Sequence, residues 1–594
     1  MDLLRVPVLG AFLRWRHART ALQSTALLLA VLILLDGWFG PQLAPRNLAG
    51  VIPWVHWRGF VVLALLVVGN LFCMACPFML PRRLAKRLLP ARWNWPAALA
   101  SKWLAVGLLV VFFWAYEAFS LWASPWLTAW VAGAYFLGAF VVDGFFRGAA
   151  FCRYVCPIGQ FHFVNGMVSP FEVRVREPEV CRSCATKDCI RGRYADPVTG
   201  ADPVTGADPV AGADPVAGAD PVAGVDPVAG VSPVASADPV TRADPVSAAG
   251  WSGRPLRPDP ITGRLALAGA SVADRTSPSR DRIPSSGRAR GRAGLIQGGC
   301  ELALYLPRKE GNLDCTFCME CIHACPHDNV GILARSPLRD LTTGGVRAGV
   351  GRIRSRPDLA ALALLLVFAA FLNAFGMVEP VFRLQAWAAG LLGISSRAGF
   401  LLLFFGMGLI LLPLLLTGAT AWISRFLAGP SGGGRSSAGQ RDAGQRDAEP
   451  TDGGGTEGVV AWASRYAWGL VPLGFGMWTA HYLHHLLIGG LTVVPVIQQY
   501  LRDLGIPSGE PGWGRGAMVP EGWLFPLELL FLQGGLLVSL LATWRIAQQT
   551  EGPRRRALRA FAPWALLATS LAGAGIWLLL QPMEMRGTFF APGL

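Results

Sequence analysis

Nine apolar runs, each close to the roughly 20 residues a helix needs to cross a bilayer, constrain this chain more than any other feature. They lie at 21–39, 57–78, 101–122, 127–147, 359–377, 399–423, 465–489, 523–544 and 562–580. Lipid offers no partner to a backbone N–H or C=O, so runs of this length fold as helices that satisfy their own hydrogen bonds. Only 15% of the 594 residues are charged and 53% are hydrophobic, whereas soluble domains carry about 25% charged residues. The first run is long and no small-x-small cleavage site follows it, so it reads as an anchor and not as a signal peptide. The expected fold class is membrane all-α, with about nine transmembrane helices.

Basic residues set the expected orientation. Arg5, Arg14, Arg16 and Arg19 precede the first run; Arg82, Arg83, Lys86 and Arg87 lie between the second and third. Arg352, Arg354 and Arg356 precede the fifth run, and Arg554, Arg555, Arg556 and Arg559 lie between the eighth and ninth. With nine spans these segments fall on one side, which the positive-inside rule makes cytoplasmic. The opposite loops hold few basic residues, such as Arg46, Arg383 and Arg502. The chain is thus expected to lie in a bacterial inner membrane, with its N-terminus in the cytoplasm and its C-terminus in the periplasm. Orientation and lipid contact account for the net charge of +15 without a nucleic-acid partner.

All 12 cysteines lie between Cys73 and Cys325. The run Cys315-x2-Cys318-x2-Cys321-x3-Cys325-Pro326 has the spacing with which thiolates hold a [4Fe–4S] cluster, the last cysteine reaching a neighbouring cluster. Zinc is the competing ligand, but its sites favour two well-separated cysteine pairs. An earlier run, Cys181-x2-Cys184-x4-Cys189, continues at Cys300 beyond a long insertion. By the two-cluster logic Cys181, Cys184 and Cys189 share one cluster with Cys325, and Cys315, Cys318 and Cys321 share the other with Cys300. Two features depart from the pattern: the third spacing of the first run is four residues, and Glu301 instead of proline follows Cys300. A reducing cytoplasm suits exposed thiolate-bound clusters and offers no role for a disulfide framework.

The other four cysteines form Cys73-x2-Cys76-Pro77 and Cys152-x3-Cys156-Pro157, each expected at the end of a span where proline breaks the helix. They read as ligands of a third metal centre or as redox-active pairs; the plain alternative is two buried cysteine pairs acting as small apolar groups.

The domain order follows. Residues 1–20 form a cytoplasmic N-terminus and 21–157 a four-helix membrane domain with both Cys-Pro motifs. Residues 158–190 and 295–335 form an inserted cytoplasmic ferredoxin-like two-cluster domain, interrupted at 191–294 by repeats of the ADPVAG type and an Arg-rich stretch around Arg280–Arg292. A proline in every repeat removes a ladder donor, so the insertion reads as disordered or polyproline-like. Two membrane helices (357–425), a flexible Gly/Gln-rich linker (428–458) and three more membrane helices (462–581) complete the chain.

Four spans with two Cys…Cys-Pro motifs, followed by a two-cluster ferredoxin segment, resemble the NapH, NosR and CcoG group of membrane polyferredoxins over roughly residues 22–333. The segment GGCELALYLPRKEGNLDCTFCMECIHACPHDNVGIL resembles bacterial FesM-like iron–sulfur proteins more closely. That group uses C-x3-CP in both motifs, whereas Cys73 and Cys76 are separated by x2. The resemblance implies electron exchange between iron–sulfur centres and quinones or a partner reductase, and for FesM-like proteins an association with cyclic electron flow in phototrophs. It does not reach the last five spans.

The seventh span carries His481, Tyr482, His484 and His485 near its outward end, where ionisable groups are costly and mark candidate sites. With Glu528, Glu379 and Glu584 at similar depth they form a candidate quinone and proton site, histidine bonding the quinone oxygen and glutamate carrying protons. Haem is disfavoured: His481 and His485 share one helix face, and Met407 or Met583 would have to be the second ligand. An aromatic-belt cluster is the plain alternative. Asp143 and Glu117 read equally as proton carriers or as helix-to-helix hydrogen bonds. No nucleophile triad, Walker loop or dinucleotide fingerprint is present. The expected function is an integral membrane electron carrier or quinone-linked oxidoreductase subunit, between a soluble cytoplasmic donor or acceptor and the quinone pool or a membrane redox complex. The rivals are a maturation or regulatory polyferredoxin serving a partner metalloenzyme, and a redox-gated transporter, which would call for an internal repeat.

Overall fold

The computed structural model describes residues 1–89, 92–195, 295–313, 315–394, 396–429, 458–514 and 516–583. The ADPVAG repeats beyond Ala195, the Arg280–Arg292 stretch, nearly all of the Gly/Gln linker and Glu584 lie outside them. The chain divides into two compact units, residues 1–193 with 297–594 and residues 194–296.

Among the described residues eight helices are long and apolar enough to cross a membrane. In chain order the helices are α1 (Ala18–Phe39), α2 (Leu48–Val67), a shorter α3 (Trp103–Ala118), α4 (Pro125–Phe145), α5 (Pro357–Phe375), α6 (Arg397–Ala428), α7 (Val459–Asp503), α8 (Glu521–Glu551) and α9 (Arg554–Leu579). The expected third span is therefore a helix of 16 residues, about 24 Å long at 1.5 Å per residue. It stops because Ser120 turns left-handed (φ 45°) and Ser124 then caps α4, accepting from the Leu127 N–H at 3.2 Å with Pro125 at the first helical position.

The second span also departs from expectation. It starts at Leu48, capped by the Asn47 side chain, passes through a π-helical turn at Ile52–Trp57 and ends at Val67. Pro53, His56 and Arg58 dilute the apolar signal over that first half. The π turn absorbs the proline, and the Arg58 guanidinium lies over the Trp54 and Tyr116 rings at 4.6 and 4.8 Å, which shelters its charge.

Helix α5 is the central post, with 89% of its apolar window buried, whereas α1 and α8 bury 17% and 22% of theirs and present the rest to lipid. Trp478 of α7 donates to the Leu366 carbonyl of α5 at 2.9 Å. Helices α7 and α8 meet at Gly476 and Gly535: a Cβ on Gly535 would sit 2.6 Å from the Pro472 carbonyl oxygen. Small residues let membrane helices pack backbone to backbone.

Among the described residues four strands complete the architecture. β1 (Phe171–Val175) pairs antiparallel with β4 (Val330–Ala334), Phe171 opposite Ala334 and Val175 opposite Val330. β2 (Arg193–Tyr194) and β3 (Leu295–Gln297) form a second two-stranded sheet. The N-terminus joins the first sheet: Ala334 donates to the Met1 carbonyl at 2.9 Å and Arg176 pairs with Asp2 at 2.9 Å. Four apolar helices separate Met1 from β1 in sequence, yet the two ends meet.

Gly535→Leu should push α7 from α8 and cost about 2 kcal/mol through overpacking. Gly534→Leu, where an added Cβ meets nothing within 4 Å, should leave the thermal midpoint of the detergent-solubilised protein almost unchanged. Equal midpoints for both variants would contradict this packing.

Candidate functional site

Five of the eight cysteines of the two runs, Cys181, Cys189, Cys315, Cys321 and Cys325, pack with Val173, Val175, Val330 and Ile332 of the β1–β4 sheet, over a core that includes Leu3, Leu4 and Leu13 from the N-terminus. Cys315, Cys318 and Cys321 line one small cavity together with Cys300. The loop curls at the residues between the thiols: Phe317 and Met319 are left-handed, with φ of 51° and 62°, and both side chains are buried beneath. Burial, then Cys318, Cys300 and Cys315, raises the Cys321 thiol far above its ordinary value. Buried Lys309 opposes that shift and is held by the Val173 and Gly311 carbonyls at 2.8 and 2.6 Å.

Cys325 ends the second run but sits with the first. Asn329 joins them, its backbone N–H donating to Cys325 Sγ and its side chain to Cys181 Sγ, each at 3.3 Å. Burial, then Cys325, Cys181 and Cys184, pushes the Cys189 thiol up to about 12. The Cys300 N–H donates to the Cys189 carbonyl at 2.8 Å, which sets the quartets side by side. The grouping is therefore Cys181, Cys184, Cys189 and Cys325 in one quartet, and Cys300, Cys315, Cys318 and Cys321 in the other.

Among the described residues no three His, Cys, Asp or Glu converge on a point that a single metal ion could occupy. Each quartet nevertheless brings four thiols into one neighbourhood. The cavity of the second quartet holds about 10 Å³, roughly one water, so a cluster fits only as the Cys315–Cys321 loop spreads around it.

Glu301, the departure from the ferredoxin pattern, has a structural reason. Its carboxylate is clasped by Arg19 of α1 and by Arg82 of the helix Met79–Leu88, at 3.0 and 2.9 Å. Arg19 also reaches Glu320 at 2.9 Å, and Arg82 reaches Asp143 of α4 at 2.9 Å. Burial alone would raise the Glu301 carboxyl, but Arg82 and Arg19 outweigh it and hold the group far below the carboxylate range. Asp143 also accepts from the Phe151 N–H, so it is an anchor for Arg82 within a structural network.

The Cys-Pro thiols meet as well. Cys73, Cys76, Cys152 and Cys156 line one cavity with His162 and Cys315. The local structure differs from the expected helix breaks. After α2 ends, Gly69 turns the chain (φ 73°) into the short helix Leu71–Met74, which carries Cys73. Pro157 starts a helix, and Cys156 caps it by accepting from the Gly159 N–H at 3.3 Å.

At the far end of the membrane, His484 Nδ1 lies 2.5 Å from Glu528 Oε1. The His481 and His485 rings stand edge-on with centroids 4.8 Å apart, and both are buried. Glu379 does not join them; it pairs with Arg383 at the surface. Met407 lies half exposed on the outside of α6, away from these histidines' buried environment. Sequence reasoning missed Arg19, Arg82, Asn329 and His162. For Glu301 the missing proline was the signal; for the others spacing carries none.

The chain matches no protein-family model, no curated protein and no solved structure.

Glu301→Gln should destabilise the protein by about 3 kcal/mol, the scale for removing one partner of a buried ion network. Chemical unfolding followed by Trp fluorescence measures this; a change under about 0.5 kcal/mol, the range of an ordinary surface substitution, would contradict the clasp.

Proposed function

We propose that this protein is an integral membrane iron–sulfur electron carrier. It holds one [4Fe–4S] cluster on Cys181, Cys184, Cys189 and Cys325 and another on Cys315, Cys318, Cys321 and Cys300, and passes electrons between a soluble cytoplasmic redox partner and the membrane quinone pool. The single observation that carries this reading is the exchange of last cysteines between the runs, a grouping that two-cluster ferredoxins use and that chance spacing would not produce. Bound there, the clusters supply one-electron chemistry at potentials set by their surroundings. The chain's own residues do the tuning. Asn329 donates to two sulfurs of the first quartet, and Lys309 and Arg19 place positive charge beside the second.

The side facing the soluble partner is the cytoplasm by the positive-inside rule. The resemblance to NapH-, NosR- and FesM-like proteins favours quinone as the membrane partner, and the His484–Glu528 pair supplies a histidine to bond a quinone oxygen and a carboxylate to move its proton.

Cys325→Ala in anaerobically purified protein should perturb the cluster of the first run, although Cys325 belongs to the second. Cys318→Ala should remove the other cluster. EPR of the reduced protein distinguishes the two; loss of the same signal in both variants would contradict the exchanged ligands. Glu528→Gln should slow reduction or oxidation of a short-chain quinone by about a hundredfold, the scale of a positioned proton-transfer group, with both cluster signals intact. An unchanged rate would remove this pair from the site.

A further inference from the structure

The cavity at the two Cys-Pro turns is the strongest unassigned feature of the molecule. Four thiols from chain segments far apart in sequence, Cys73 and Cys76 from one and Cys152 and Cys156 from the other, arrive at a space of about 80 Å³. That is room for several waters, hence for a group of several atoms. Soft sulfur ligands select iron–sulfur clusters, zinc or copper(I). A space of about 80 Å³ suits a group of several atoms better than a single ion.

His162 is the second, independent observation. Its side chain is 2% exposed and lines the same cavity. Neither ring nitrogen has a hydrogen-bond partner among the described residues, and the ring stacks on Phe72 with centroids 5.5 Å apart. Buried polar groups are paired in nearly all structures, so an orphaned imidazole facing a thiol-lined space points to a ligand with acceptor atoms. A neutral imidazole has one N–H to donate.

We propose that Cys73, Cys76, Cys152 and Cys156 hold a third iron–sulfur centre at the membrane surface, with His162 donating an N–H to one of its sulfurs. The proposal rests on the electron-carrier reading above and extends it inward. Cys315 is shared: it belongs to the second quartet and also lines this cavity. Asn70, at the cavity wall, donates to the Cys315 carbonyl at 3.0 Å. The three sites therefore lie in series, joined through Cys189 and Cys300 and then through Cys315. In the transfer step one electron leaves the second quartet's cluster, which is oxidised by one, and the third centre is reduced by one; no bond forms or breaks. The Arg82 guanidinium, an electrostatic neighbour of Cys76 and Cys152, offsets the added negative charge.

Iron and sulfide counts on the full-length protein, purified anaerobically, test this first without any variant. Two cubanes account for about eight irons, while a third centre brings the count to about ten if it is a two-iron cluster and about twelve if it is a cubane. Cys76→Ser/Cys152→Ser should lose the excess and keep both ferredoxin-type EPR signals. About eight irons in wild type and variant alike, or zinc or copper in stoichiometric amount at this site, would overturn the third centre and leave the two-cluster reading standing. A wild-type protein without iron would end both readings. His162→Phe keeps the stack on Phe72 but removes the donor, so it should lower the midpoint potential of the third centre alone; an unmoved potential would remove His162 from the site.

Discussion

The Glu301 carboxylate, gripped between Arg19 and Arg82, is the interaction on which the rest of the structure depends. It joins α1, the helix Met79–Leu88 and the loop that carries Cys300. Through Asp143 it also anchors the C-terminal end of α4, which leads into the second Cys-Pro turn. Gln23 of α1 adds a neutral tie by donating to the Met74 carbonyl beside Cys73, at 2.9 Å. Two arginines and three carboxylates, mostly buried, would be costly apart. Together they satisfy one another and fix the cysteine loops against the membrane helices. The loops are thus not a tethered accessory: residues 1–193 and 297–594 form one compact unit.

This network also decides the electrostatics of the thiols. Burial raises every Cys-Pro thiol, and so does repulsion among them. Arg82 works in the other direction on Cys76 and Cys152, and Arg19 on Cys76 and Cys318. The two guanidiniums therefore sit between two thiol quartets and favour the thiolate form in both. Ligands of an iron–sulfur centre must be thiolates, and the positive charge that assists deprotonation is the same charge that holds the loops in place.

Much of this was legible in the chain. The apolar runs located α1 and α4 to α9, because a bilayer-length run leaves little choice of structure. They misplaced α2, whose first half is interrupted by Pro53, His56 and Arg58; the aromatic shelter of Arg58 comes from Tyr116, 58 residues away, and no local pattern foretells it. They overestimated α3, because Phe119 to Ala123 are apolar enough to continue a run although Ser120 turns the chain. At the candidate site the spacing of the second cysteine run and the exchange rule lead to two expected ligand sets, and the structure places Cys325 near Cys181 and Cys300 in one cavity with Cys315, Cys318 and Cys321. The side chains that touch the thiols or line their cavities stayed hidden. Asn329 and His162 act through space, and only Glu301 left a trace, as a charged residue where proline was expected.

Mössbauer and EPR spectra of the reduced, anaerobically purified protein test the central claim most directly. The account predicts cubane iron in the cysteine loops, with two magnetically coupled clusters whose coupling reflects quartets joined at Cys189 and Cys300. Colourless protein that carries zinc on these thiols, and shows no cluster iron after reconstitution with iron and sulfide, would contradict it.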